Sequence, residues 1–311
     1  MSENIILAQE TDGAGVPRVP YGSWLEDAFD WLTSTFSAVV DGADAALSTV
    51  SGGLADLLAG PDALVLALIF VLVGWLLRDW KMALLAIPLM VFIISADQWE
   101  NAMETLALVA VAAVVALIIG IPLGVLAAKN SMVSNAVRPV MDLMQTMPAL
   151  VWLIPAMAMF GLGMAAGIFA TVIFALPPGV RLTELAIRQV DQEVVEAGHA
   201  FGSTPWQILM RIQLPLATKT IMAGVNQVIM LALSMAVFGG FVGAGGLGNE
   251  VSRAINTLDL GLGLEAGLCV VMLAIYLDRV TASIGSGGSL AGRLLRTKGM
   301  GFRKATGLAS A

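Results

Sequence analysis

Apolar and polar positions in this chain fall into long blocks, not a short alternation. Seven apolar runs, near residues 62–78, 81–96, 105–128, 148–163, 165–180, 221–242 and 260–277, are each predicted to be a membrane-spanning helix. Only the third and sixth clearly exceed the roughly 20 residues that a crossing needs. The first two are short and joined by Arg78-Asp79-Trp80-Lys81, which suits a tight hairpin or a pair of tilted helices. Pro88, Pro122 and Pro155 fall inside runs, where neighbouring helices can satisfy the freed backbone groups. Ahead of the runs, residues 23–58 carry Trp24, Leu25, Phe29, Trp31, Leu32, Phe36, Val39 and Val40 at helical spacing, opposite Glu26, Asp27, Asp30 and Asp41. Such an amphipathic segment either lies on the outer membrane surface or packs against the body of the spans. The first placement would rest on apolar burial alone, because the usual basic polar face is missing.

A moderately polar block, Glu196 to Pro215, separates the fifth and sixth runs. Small residues at Ala197, Gly198 and Ala200 let a short helix lie close against another surface. Gly202 can adopt positive φ and reverse the chain after that helix. Ser203 or Thr204 then caps a second helix with Pro205 in its first turn, and Pro215 ends or kinks that helix before the next span. The expected unit is helix, turn, helix, with Phe201 as an apolar knob. The plain alternative is an amphipathic connector between two spans.

Composition narrows the class. The 311 residues are 58% hydrophobic and 13% charged, with mean hydropathy +0.87, which excludes a soluble domain and fits an all-α, polytopic membrane protein. The single cysteine, Cys269, lies in an apolar run, so no intrachain disulfide can form and a small buried side chain is the simplest reading. His199, the single histidine, has no Cys or His partner for a zinc site. Residues 1–20 lack the basic start and apolar core of a cleavable signal peptide. Lys and Arg set the orientation. Arg78 and Lys81, then Lys129 and Arg138, then Arg181, Arg188, Arg211 and Lys219, and finally Arg279, Arg293, Arg296, Lys298, Arg303 and Lys304 fall on one side when seven spans are threaded, and that side is expected to be cytoplasmic. The opposite loops carry Asp97, Glu100 and Glu104, then Glu250, Arg253 and Asp259.

The spacing of the polar block is specific. Glu196-Ala197-Gly198, three residues, Gly202, nine residues, then Ile212-x-Leu214-Pro215 resembles the EAA loop, E-A-A-x3-G-x9-I-x-L-P, of permease subunits in ATP-binding-cassette importers. The one departure is Gly198 in place of alanine. Further motifs accompany it in order: Met144-Gln145-Thr146-Met147-Pro148 before Val151-Trp152-Leu153-Ile154-Pro155, Phe174-Ala175-Leu176-Pro177-Pro178 before Arg181-Leu182-Thr183, Ala223-Gly224-Val225-Asn226-Gln227, Leu231-Ala232-Leu233-Ser234-Met235, Gly243-Ala244-Gly245-Gly246-Leu247-Gly248 and Leu277-Asp278-Arg279. Over residues 62–285 the chain is similar to the permease family of the proline/glycine betaine importers.

That resemblance implies a type I importer fold in the bacterial inner membrane. The charge pattern leads to the expectation of an N-terminus outside and a C-terminus inside, with an extracytoplasmic segment at 1–61, a transmembrane domain at 62–282 and a basic cytoplasmic tail at 283–311. Two copies would pair, ATPase subunits would dock on the EAA loops, and a binding protein would deliver a quaternary ammonium osmolyte such as glycine betaine, proline betaine or choline. ATPase coupling would fall to Glu196, Ala197, Gly198, Ala200, Phe201, Gly202, Leu214 and Pro215. No Gly-rich stretch ends in Gly-Lys-Ser/Thr, so ATP hydrolysis belongs to another chain and this one is expected to be no enzyme, without cofactor, metal or nucleic acid.

Candidates for the substrate path are less specific. Trp152, Phe160 and Phe174 offer aromatic faces for a quaternary ammonium. Asn226, Met230 and Ser234 follow i, i+4, i+8 on one helix face, where interhelical hydrogen bonding is the simpler role. Residues 239–248 are Gly-rich without lysine, which points to close packing or a broken helix and not to phosphate binding. Most of the seventeen methionines are expected to be ordinary packing or lipid-facing residues. Three other readings compete: a methionine-type permease, which shares the EAA loop and a GAGGLG-like stretch but is shorter; an ATPase-independent channel or secondary transporter, which leaves the EAA spacing unexplained; and a membrane enzyme, for which no catalytic cluster is visible.

The charge pattern generates a direct test of orientation. Cysteines introduced at Ser2 and Ser310 should react with a membrane-impermeant reagent from opposite sides. Labelling of both ends from one side would require an even number of crossings.

Overall fold

The structure, a computed structural model, describes residues 19–285. The basic positions 293–304 of the expected tail lie outside these residues. Thirteen α-helices follow in order among the described residues: α1 (Tyr21–Thr35), α2 (Ser37–Ala59), α3 (Ala63–Leu77), α4 (Trp80–Ser95), α5 (Trp99–Lys129), α6 (Ser131–Thr146), α7 (Leu153–Phe160), α8 (Met164–Arg188), α9 (Gln192–Ala200), α10 (Pro205–Ile208), α11 (Leu214–Gly239), α12 (Gly246–Thr257) and α13 (Leu260–Gly285).

Four helical stretches are individually long and apolar enough to cross a membrane: α5, α8, the continuous 205–242 stretch and α13. Two bent pairs raise the number to six if each counts as one span, α2 with α3 at 100° and α6 with the 149–160 segment at 110°. α4, with 16 residues, is apolar but shorter. The seven sequence runs therefore divide differently in space. The run at 148–163 is no span by itself. Pro148 forces an extended backbone after α6, a 3₁₀ turn covers Ala149–Trp152, and α7 has only eight residues before Gly161 and Gly163 take positive φ. It forms one bent unit with α6, whose Asn135, Arg138 and Asp142 concealed it from a hydropathy reading.

The core is built around α8, which packs between α5 and α11. α13 adds to α11 and α12, α4 pairs with α3 and α13, and α2 packs along α5. Lipid tails are as apolar as leucine, so helices in a membrane gain little from hydrophobic burial and associate through close contact of small residues. Gly124 of α5 shows this: a Cβ there would sit 2.6 Å from the Val180 carbonyl oxygen and 2.7 Å from Thr183 Cβ of α8. At the far end of α11 the Gly-rich stretch unwinds through a 3₁₀ turn and re-enters α12, and a Cβ on Gly240 would lie 2.0 Å from the Gly248 carbonyl oxygen. The stretch is thus a broken, close-packed helix end.

The two helices of the N-terminal amphipathic segment differ in burial. α2 buries Ser51 and Ala55 and packs Leu47, Leu54 and Leu58 onto the main core. α1 buries nothing and keeps Trp24 and Trp31 exposed.

Gly240→Ala should therefore destabilise the protein by about 1–3 kcal/mol, because the new methyl meets backbone that cannot swing aside. Gly267→Ala, with open space at its Cβ, should not. Thermal denaturation in detergent compares the two; equal midpoints would refute the packing argument.

Candidate functional site

The polar block folds as a hairpin of short helices at one end of the bundle. α9 starts at Asp191, whose carboxylate accepts from the Glu193 amide at 3.0 Å. It ends in a Schellman turn. The Gly202 amide donates to the His199 carbonyl at 2.9 Å and the Ser203 amide to the Gly198 carbonyl at 3.1 Å, with Gly202 at φ 76°. Thr204, and not Ser203, caps the next helix through a capping box: the Gln207 amide donates to Thr204 Oγ1 at 3.3 Å and the Thr204 amide to Gln207 Oε1 at 2.9 Å, with Pro205 in the first turn.

Pro215, expected to end or kink the helix, does not end it. A π-helical turn, Leu209–Gln213, precedes it, with the Leu214 amide donating to the Leu209 carbonyl, and helix continues from 205 to 242. The wider turn relaxes the contact that a proline ring would make with the carbonyl four residues earlier.

The expected coupling residues divide by direction. Glu196, Ala197 and Ala200 are exposed, Phe201 projects with 89% of its surface free, and Trp206 is exposed as well. Gly198 is buried against Ile208 and Ile212, which accounts for glycine at that position: a Cβ would meet Ile212 Cδ1 at 2.8 Å. Leu214 packs on Ala186, Ile187, Val190, Leu209 and Ala217, fixing the hairpin to α8 and α11, while Pro215 is exposed. The arrangement presents apolar side chains and a carboxylate around a tight turn.

Beside it lies an ionic junction that the sequence reading did not single out. Glu184 Oε1, on a side chain 10% exposed, accepts from Ser134 Oγ at 2.8 Å and lies 3.2 Å from Arg138 Nη2 and 3.0 Å from Arg188 Nε. Arg188 Nη2 also donates to the Ala127 carbonyl at 2.9 Å, and Arg181 pairs with Asp142. Lys129 at the end of α5 donates to Gln213 Oε1 in the π turn. The signal was present in two interlocking repeats, 134/138/142 on α6 and 181/184/188 on α8.

Trp152, Phe160 and Phe174 come together in one cluster with Phe169, Phe238, Met157 and Met235. Phe160 and Phe169 meet with tilted rings, centroids 5.0 Å apart, and Trp152 Nε1 donates to the Met144 carbonyl at 3.3 Å, bridging the break at Pro148. Asn226 is not joined to this cluster. Its amide nitrogen donates to Asp278 Oδ1 at 3.0 Å and its oxygen accepts from Thr281, so it ties α11 to α13 as an interhelical hydrogen bond. Met230 is half-buried, and Ser234, exposed, donates back to the Met230 carbonyl at 3.0 Å. At the bundle's other end, Glu104 and Thr105 of α5 accept from the Gly246 and Leu247 amides at 2.7 and 2.8 Å, pinning the start of α12.

The fold defines a multi-pass helical membrane protein with a compact helical hairpin between two of its spans. The sequence profile described as "Binding-protein-dependent transport system inner membrane component" matches residues 120–285, and the chain belongs to that family. It is 42% identical over 269 residues to the glycine betaine transport system permease protein OpuAB of Bacillus subtilis, covering 86% of this chain and 95% of the relative. It is 42% identical to the glycine betaine/proline betaine transport system permease protein ProW of Escherichia coli, covering 86% of this chain and 75% of that one. It is 43% identical to the glycine betaine/carnitine transport permease protein GbuB of Listeria monocytogenes, with 86% and 95% covered. Among solved structures, an inward-facing MetNI methionine ABC transporter aligns with TM-score 0.56 and 24% identity over 65% of this chain and 98% of its own, a likeness of fold alone.

The turn makes a specific prediction. No atom lies within 4 Å of a Cβ built on Gly202, so the penalty for valine there is conformational, about 1–2 kcal/mol for a left-handed φ. Gly202→Val should leave the chain in the membrane but impair transport, whereas Gly202→Asn, which tolerates this region, should retain most of it. Equal uptake by both variants and wild type would remove the turn from the mechanism.

Proposed function

We propose that the chain is the transmembrane permease subunit of an ATP-driven importer for quaternary ammonium osmolytes, glycine betaine first and proline betaine or choline next. The observation that carries this reading is 42% identity to OpuAB and ProW across 86% of the chain. ATPase subunits sit on residues 196–215 and hydrolyse ATP, an extracytoplasmic binding protein delivers the solute, and a second copy of the chain completes the pathway. The N-terminal segment, 1–61, faces outward, 62–282 forms the transmembrane domain, and 283–311 lies in the cytoplasm. A methionine permease is the weaker reading: the MetNI chain leaves about a third of this one without a counterpart.

Chemistry supports the choice of solute. A quaternary ammonium carries a fixed positive charge under weakly hydrated methyl groups, and aromatic faces attract it without the tight grip of a carboxylate. Trp152, Phe160 and Phe174 supply such faces in one cluster, whose breathing with the bent α6–α7 unit would admit and release the solute. Glu196, exposed on the hairpin beside Phe201, gives the ATPase a charge and an apolar knob to grip.

Proteoliposomes holding permease, ATPase and binding protein should accumulate labelled glycine betaine only when ATP is in the compartment that holds the ATPase. Glu196→Ala should lower ATPase copurification and uptake together. Methionine accumulation without betaine would establish the alternative solute, and betaine uptake by the permease alone would establish an ATPase-independent carrier.

A further inference from the structure

The hairpin is anchored to the bundle at both of its ends, and both anchors lead to the same place. At its start, α8 passes into α9 directly after Arg188, whose guanidinium holds Glu184 Oε1 at 3.0 Å and the Ala127 carbonyl at 2.9 Å. At its finish, Gln213 of the π turn accepts from Lys129, two residues beyond Ala127 on α5. Glu184 also reaches across to α6 through Ser134 and Arg138. One carboxylate oxygen therefore gathers donors from α6 and from the end of α8. α6 runs on to the Pro148 break, across which Trp152 holds the Met144 carbonyl, and so to the aromatic cluster.

We propose that Glu184 is the positioning residue through which displacement of the 191–215 hairpin reaches the bent α6–α7 unit. The proposal rests on the permease reading above and adds the route by which ATPase motion opens the path. The physical reason is the stiffness of the junction. A largely buried carboxylate that holds three donors on one oxygen resists losing the two from α6, which would leave it Arg188 alone. When the hairpin tilts, α8 and α6 must then move as one body. The apolar contacts between these helices, Val137, Met141 and Met144 against Leu176 and Val180, would by themselves allow sliding, because methionine side chains repack readily. The ladder extends one turn further with Asp142 and Arg181, so the restraint resists rotation as well as separation.

The test uses the complete complex of permease, ATPase and binding protein in proteoliposomes, reading betaine imported per ATP hydrolysed. Ser134→Ala/Arg138→Gln cuts only the α6 arm and leaves the Glu184–Arg188 pair inside α8. Arg138 is more than half exposed, so this variant should assemble normally even if Glu184→Gln does not. Each variant should retain ATPase copurification and hydrolysis within about twofold of wild type, yet import about tenfold less betaine per ATP. The combined variant should be no worse than either alone, the signature of one shared route. A wild-type ratio in Ser134→Ala/Arg138→Gln would overturn the proposal. So would losses that multiply in the combined variant, or a fall in transport and hydrolysis in strict proportion to the amount of complex assembled. If wild type itself imports no betaine, the functional reading falls and takes this inference with it; if wild type imports and the variants match it, the inference alone falls.

Discussion

Everything at the ends of this bundle depends on how closely α8 can approach α5 and α11. Helices surrounded by lipid lack the solvent-driven force that collapses a soluble core, so their association comes from contact at short range. Gly124 lets the α5 backbone meet the Val180 carbonyl and Thr183, and Gly224 lets α11 meet Leu182 and the Pro178 carbonyl. These approaches fix α8 between two neighbours, and α8 carries Glu184, Arg188 and, one turn later, the docking hairpin. The same principle operates at the other end, where Gly240 and Gly248 bring the end of α11 against α12.

On that frame several polar groups are tied to a partner from another helix. Asn226 joins α11 to α13, Glu104 and Thr105 join α5 to α12, and Glu184 joins α6 to α8. A hydrogen bond of this kind is worth only modest energy in a membrane, but it specifies register, which apolar contacts between methionine- and alanine-rich faces do not. Both ends leave apolar groups open, Leu258 and Leu260 at the α12 end and Phe201 and Trp206 on the hairpin, and the hairpin end adds the charge junction between α6 and α8.

How much of this the sequence disclosed follows from how local each feature is. The hairpin was legible almost residue by residue, because Gly202, Thr204 and Pro205 act on neighbours within one turn. Its end was not: Pro215 usually stops a helix, and only the π turn before it, a property of backbone register, lets the helix continue. Long runs such as 105–128 announced their helices. The α6–α7 unit stayed hidden because Arg138 and Asp142 lower its hydropathy, and their partners Glu184 and Arg181 lie 46 and 39 residues away. For Asn226 an interhelical hydrogen bond was legible but its partner was not, since Asp278 is 52 residues downstream. Periodicity reports which face a residue occupies, and it is silent about which helix that face meets.

The central claim is that the exposed tip of the 191–215 hairpin is where the ATPase grips the permease. A cysteine at Phe201, bearing a short bifunctional crosslinker in membranes that contain the assembled complex, measures this directly. The account predicts an adduct with the ATPase subunit from position 201 and none from a cysteine at Asn256, exposed on α12 at the opposite end. An ATPase adduct from position 256, or none from 201 in a complex that transports, would contradict it.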